Sequence, residues 1–336
     1  MALTVTRASV LLLLALADLA ASNTTTRATE IGIMPLENLV SADDLLAAAG
    51  PPLANDSRSM LRDYDDAVNP RSDTVRTHYR LMREGQTLDF VRRMLQKYSF
   101  DDGQFRAKMT VRQAFSALDG YVDSSDPDMA LPNIIHNFQT AEGIRAAGHA
   151  DWMQLVGLIH DMGKLMFLWG DAADGQRGTA DGPQWALGGD TWIAGVPLPA
   201  SAVFPEFNAL NADERDPRYN ASALGVYYAG IGLDNVLFAY GHDEYLYRML
   251  VGNAVAIPPA GLRMIRYHSC YPWHSGGAYR ELMAPEDHAT LAHVLEFNRF
   301  DLYTKDENSG RAIDLDALWP YYQALIDKYM PGELRW

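Results

Sequence analysis

The sequence predicts a single, mainly α-helical domain, and three observations support this. From residue 61 onward apolar residues recur at steps of three and four, the period of a helix face. No long alternating run marks a large sheet, and no internal repeat is evident. The 336 residues, 48% of them hydrophobic, suffice for one large buried core.

The elements follow in chain order. Residues 1–22, MALTVTRASVLLLLALADLAAS, have Arg7, an apolar run from Val10 to Ala17 and then small residues, the outline of a secretory signal. That run is far short of the ~20 residues that span a bilayer, and Asp18 interrupts it. Residues 23–60 read as a polar, poorly ordered segment, with Pro51-Pro52 as a stop, and residues 61–336 as the main domain. Leu88, Val91, Leu95 and Tyr98 share one helix face. Thr110 and Gln113 form a capping-box pattern before a second helix. Pro132 starts a helix running to about Ala147, and another covers roughly 151–168. The polar, Gly-rich stretch 171–183 is a surface loop, and QWALGGDTWIAGVPL (184–198) holds a small β-hairpin insertion. Helices return at about 234–252, 259–269, 285–298 and 315–329.

The net charge of -15 repels phosphate backbones and anionic lipid, so the expected partners include neither nucleic acid nor membrane. One cysteine, Cys270, excludes an internal disulfide and favours a reducing compartment. The signal-like leader and the glycosylation triplets at Asn23, Asn55 and Asn220 point the other way.

Four of the nine histidines sit in apolar or aromatic company in helical segments: His136, His160, His242 and His268. Asp161 and Asp301 keep similar company. Isolated buried carboxylates are costly, and the group can share one stabilising cation. Imidazole with carboxylate suits iron, manganese or zinc rather than calcium, and a single thiol excludes a thiolate zinc site. Adjacent residues on a helix point ~100° apart, so His160 and Asp161 do not chelate one ion as an i,i+4 pair would. They suit a two-metal site, with His160 on one ion and Asp161 bridging both. His78, His149, His288 and His293 read as surface or packing residues, and Asp126 and Asp128 as turn and cap residues near Pro132.

A histidine, an adjacent His-Asp pair and a later aspartate, all on helices, resemble the HD-domain superfamily. Long stretches resemble one of its families, the myo-inositol oxygenases: PNIIHNFQTAEGIR, DWMQLVGLIHDMGK, PQWALGGDTW, GLDNVLFAYGHDEYLY, MIRYHSCYPWH, EFNRFDLYTK and PYYQALIDKYMPGELRW. The resemblance covers about residues 60–336. It implies an HD-type helical bundle around a di-iron centre. Its ligands would be His136, His160, Asp161, His242, His268 and Asp301, with Asp161 bridging. It also implies O2-dependent, four-electron ring cleavage of myo-inositol to D-glucuronate at a mixed-valent Fe(II)/Fe(III) pair, in a cytoplasmic monomer.

The resemblance extends to substrate contacts. Lys164 matches the lysine of the HDxGK motif and is the expected catalytic side chain. Arg62, Asp123, Ser124, Ser125, Gly189, Asp190, Ser269 and Lys305, with His268 itself, match the other contacts. A neutral ring with six hydroxyls needs many donors and acceptors, since each unpaired buried polar group costs ~1–3 kcal/mol. The runner-up is a metal-dependent phosphohydrolase of the HD type, which would need more cations near the ligand motifs than Lys164 and Lys305 supply. A non-catalytic helical scaffold is the third possibility, and six intact ligand positions speak against it.

Overall fold

Helix α1 (Ser72–Gly85) and helix α2 (Leu88–Lys97) come first among the described helices. Thr87 caps α2 by accepting from the Phe90 N–H, and Leu88, Val91 and Met94 bury its inner face. The structure is a computed structural model that describes residue 64 and residues 71–100, 103, 105–128, 131–178, 182–303, 310 and 313–336. All of these fall in the unit Ala49–Trp336. The leader 1–22, the segment 23–60, Arg62 and Lys305 lie outside the described residues.

Strand β1 (Lys108–Thr110) leads into α3 (Val111–Ala117), where Thr110 and Gln113 form a complete capping box. Next come α4 (Asn133–Ala146) and α5 (Asp151–Ile159), which pack against each other. From Met153 to Ile159, α5 is buried on every side. In contrast, α4 buries Asn133, His136, Asn137, Gln139 and Thr140, polar groups that must find partners inside. After the short α6 (Pro217–Asn220), helices α7 (His242–Gly252), α8 (Pro259–Tyr267), α9 (Tyr271–His274) and α10 (Asp287–Tyr303) follow. Helix α8 packs on α5, α7 and α10, and α10 returns to α4. The inward ends of these helices therefore surround one space.

The chain closes with α11 (Leu315–Tyr329) and β2 (Glu333–Arg335). β2 pairs antiparallel with β1 in the register Met109–Leu334, and the buried Trp336 donates from Nε1 to the Met109 carbonyl at 3.0 Å. Among the described residues no helix is long and apolar enough to cross a membrane.

The structure departs from the sequence expectations in three places. The expected helix 151–168 breaks: α5 stops at Ile159, and a 3₁₀ segment runs from Met162 to Leu168. A Cβ added at Gly163 would overlap the His242 carbonyl, so the approach of α7 sets the path there. The expected helix 234–252 begins only at His242, because residues 237–239 bond elsewhere. The Ala194 N–H donates to the Leu237 carbonyl and the Ala239 N–H to the Trp192 carbonyl, each at 2.8 Å. For the same reason 184–198 holds no hairpin of its own, only the bridge Ile193–Phe238, and the small sheet joins β1 to β2 instead. The segment 171–178 is also tied down: Asp174 pairs with Arg93 and Lys97, each at 2.9 Å, and the buried Gln176 accepts from Tyr98 Oη at 2.7 Å.

Candidate metal centre

Helix ends bring the six candidate ligands together. His136 lies in α4, His160 caps α5 and Asp161 follows it. His242 opens α7, His268 caps α8 and Asp301 sits in the last turn of α10. All six side chains are buried. Asp301 Oδ1 lies 2.9 Å from His136 Nε2 and 3.3 Å from His160 Nε2. Asp161 Oδ2 faces the same two rings, at 3.9 and 3.6 Å. Its other oxygen, Oδ1, faces His242 Nε2 at 3.1 Å and His268 Nε2 at 3.9 Å. The ligand atoms of His136, His160 and Asp301 lie within 4.8 Å of one another, as do those of His160, Asp161 and His268.

Proton positions follow from the backbone. His160 Nδ1 bonds the Gly157 carbonyl at 2.8 Å, His242 Nδ1 the Leu187 carbonyl at 2.6 Å and His268 Nδ1 the Ile265 carbonyl at 2.7 Å. A carbonyl only accepts, so each Nδ1 carries a proton and each ring turns its Nε2 inward. His160 Nε2 is buried with no partner in hydrogen-bond geometry among the described residues. His242 and His268 aim their Nε2 atoms at each other, 3.1 Å apart. Two bare nitrogens at that distance repel unless a proton or a metal cation lies against them. The residues therefore fit a metal, with the outer nitrogens fixed as ligating histidines require.

Electrostatics agree. Burial first, then positive charge on the neighbouring His242 and His160 rings, pushes His268 down to about 3, so it stays neutral. Burial alone would raise the Asp161 carboxyl, but Lys164, His160 and His242 outweigh it and hold it well below the usual range. His136 and His160 do the same for Asp301.

Lys164, in the 3₁₀ segment, spends its ammonium on three buried oxygens. These are Asp123 Oδ2 at 2.7 Å, Asp161 Oδ2 at 2.8 Å and Asn133 Oδ1 at 2.9 Å. The Asp123 carboxyl would rise on burial, but Lys164 first, then His78 and Ser125, hold it below its ordinary value. The two carboxylates in turn keep Lys164 protonated well above the ordinary lysine value.

A cavity opens onto this cluster. Asp123, Ser125, Lys164, Gly189, Asp190, His268 and Ser269 line it together with ligand side chains. Ser124 is not part of this lining: its hydroxyl turns to His78 Nδ1 at 2.8 Å, and the residue faces a neighbouring cleft. Pro132, not Asp126 or Asp128, is the N-cap of α4; Asp126 Oδ1 accepts from the Asp128 N–H at 2.7 Å, shaping the turn, and both residues line the cavity.

Sequence reasoning missed Asn133, whose amide donates to Asp161 Oδ2 at 3.0 Å and to Asn137 Oδ1 at 2.7 Å. The i,i+4 asparagine pair flanking His136 was the available signal. It also missed Tyr79, which donates to Asp190 Oδ1 at 3.2 Å, and Tyr271, held by the Asn298 amide at 2.8 Å.

A helical domain that closes four imidazoles and two carboxylates around a pocket that could hold a metal ion is a metalloenzyme fold of the histidine–carboxylate class. A sequence model described as myo-inositol oxygenase matches residues 72–336. The chain is 47% identical to a mouse (Mus musculus) inositol oxygenase over 283 residues, 83% of this chain and 92% of the relative. It is 47% identical to a human (Homo sapiens) inositol oxygenase over 288 residues, 85% and 94% of the two chains. A probable inositol oxygenase of rice (Oryza sativa subsp. japonica) is 40% identical over 286 residues, 85% and 88%. The chain belongs to the myo-inositol oxygenase family.

Proposed function

We propose that this enzyme is an inositol oxygenase that cleaves the myo-inositol ring with O2, in a four-electron oxidation, to D-glucuronate. The observation that carries the reading is the two-sided Asp161 carboxylate, one oxygen toward His136 and His160 and the other toward His242 and His268. We assign His136, His160 and Asp301 to one iron, His242 and His268 to the other, and Asp161 to both. Two irons, when bound there, supply the mixed-valent Fe(II)/Fe(III) couple through which electrons pass from the ring to O2.

The chain's own residues bind and orient. Asp123, Ser125, Asp190 and Ser269 line the cavity with the acceptors and hydroxyls that a polyol requires. Gly189 brings backbone to the same wall. Arg62 and Lys305 complete the contacts by resemblance, with Ser124 behind the cavity wall. Lys164 lies three residues beyond Asp161, and its ammonium touches that carboxylate at 2.8 Å. By exchanging one of its three protein partners for the substrate it donates to a ring hydroxyl turned toward the centre, favours its deprotonation and fixes which C–H is presented.

A phosphohydrolase is the weaker reading. Among the described residues lining the cavity, Lys164 is the one permanently cationic side chain, and carboxylates already neutralise it. The enzyme is read as a cytoplasmic monomer, since a ferrous site and the single thiol of Cys270 suit reducing conditions. Export of a reporter fused to residues 1–30 would defeat the compartment assignment.

One experiment tests the function: iron content, oxygen uptake on adding myo-inositol, and glucuronate formation, all on protein purified anaerobically. Two irons per chain with coupled uptake and product are expected. One zinc per chain with activity on phosphate esters would overturn the reading.

A further inference from the structure

We infer that His78 is a positioning residue for the polyol site, tying together the two loops that carry its contacts; this rests on the function proposed above. His78 lies on α1 and is buried. It does not line the cavity, so it acts through others. Its Nδ1 lies 2.8 Å from Ser124 Oγ, and its Nε2 lies 3.2 Å from the Gly188 carbonyl oxygen. A carbonyl accepts only, so Nε2 carries the proton and donates to Gly188. In the neutral ring Nδ1 is then an acceptor for the Ser124 hydroxyl. Burial lowers the basicity of the ring and favours this neutral form.

The two bonded positions belong to the cavity wall. Ser124 stands between Asp123 and Ser125, both cavity-lining, and Asp123 holds Lys164 at 2.7 Å. Gly188 precedes Gly189 and Asp190, also cavity-lining. The two loops touch directly: a Cβ added at Gly188 would collide with the Asp123 carboxylate. Gly189 adopts φ +89, and a Cβ there would press on His78 Nε2 at 3.0 Å. One imidazole thus sets the separation between the Asp123 side and the Asp190 side. The next residue of α1, Tyr79, holds Asp190 Oδ1 at 3.2 Å. Residues 78 and 79 therefore register both loops against one helix.

The test compares His78→Phe, His78→Gln and Ser124→Ala with the wild type, all as anaerobically prepared holoenzyme. Metal content, calorimetric affinity for myo-inositol, and KM and kcat are measured on the same preparations. Phenylalanine keeps the ring but neither bond. We expect wild-type metal content, affinity at least tenfold weaker, and a KM that rises more than kcat falls. Glutamine, with one donor and one acceptor, should recover part of the affinity. Ser124→Ala should weaken affinity in the same direction, and the His78→Phe/Ser124→Ala double variant should add little to the larger single effect. Normal affinity in a metal-replete His78→Phe enzyme overturns the inference, as does equal loss in the Phe and Gln variants. Should His78→Phe fail to fold, normal affinity in Ser124→Ala overturns it. Wild-type holoenzyme that neither binds nor oxidises inositol sinks the proposed function and this inference together; active wild type with unaffected variants sinks the inference alone.

Discussion

The Nε2 atoms of His242 and His268 face each other at 3.1 Å, each on a ring whose Nδ1 proton is donated outward to a backbone carbonyl. A bound cation relieves that lone-pair repulsion and favours the native state by mass action. Stripping the metal with a chelator should lower the melting temperature by roughly 5 °C or more, and adding it back should restore the original value. Equal melting of both forms would mean that these rings tolerate each other without a cation.

Asp161 faces both histidine pairs, so Asp161→Ala should lose metal and turnover together. Bound metal should fall below half the wild-type value in elemental analysis, because the repulsion between the two cations is left uncompensated. A variant that keeps full metal content and activity would exclude a bridging carboxylate.

Lys164 neutralises Asp123 and Asp161 in a buried setting. Removing one partner of such a cluster strands the others, a cost of about 3–5 kcal/mol. Lys164→Ala should therefore unfold at lower denaturant, keep its metal, and lose inositol binding and at least about 100-fold in turnover. Lys164→Arg should rescue poorly, since a planar fork does not replace a compact point charge. Normal inositol affinity or loss of metal in Lys164→Ala would refute the role.

Gly163 lies where α7 comes closest to the 3₁₀ segment, and a Cβ there would overlap the His242 carbonyl. The clash is with backbone, which cannot swing aside as a side chain would. Gly163→Ala should cost about 3 kcal/mol or more and disturb His242, read as reduced metal content alongside lower stability. Wild-type stability would show that the two segments separate freely.

Asp174 anchors the 171–178 segment to Arg93 and Lys97. Burial would raise its carboxyl, but bonding to Lys97 and Arg93 lowers it below 3.8. Its contribution to stability is thus complete above 3.8 and is lost as pH falls through the lowered value. For Lys97, burial opposes the charge but the bond to Asp174 raises its value above 10.5, so its contribution is complete below 10.5 and lost as pH rises past the raised value. Asp174→Asn should lower the melting temperature near neutral pH, with the gap from wild type closing at low pH. A gap that is constant from neutral to acid pH would contradict the ion pair.

Much of the site was legible in the chain. Histidine and aspartate among apolar residues on helical periods mark groups that cannot be buried alone, and that signal is local. It picked out His136, His160, Asp161, His242, His268 and Asp301, which the fold brings into one cluster. The capping box at Thr110 was equally local and is present.

What periodicity does not carry is the direction in which a side chain points once another segment packs on it. The sequence by itself determined a mainly helical domain, the residue types of a metal centre and the apolar faces that must be covered. Only tertiary structure decided that the helix at 151 gives way after Ile159 to a 3₁₀ segment in which the His242 carbonyl leaves no room for a side chain at Gly163. Only tertiary structure gave residues 237–239 to the 192–194 segment instead of to a helix. His78 reads as one more packing histidine until residues 46 and 110 positions away close on its two nitrogens. Local sequence sets which groups need partners; the partners come from contacts distant along the chain, which exist only after the core has packed.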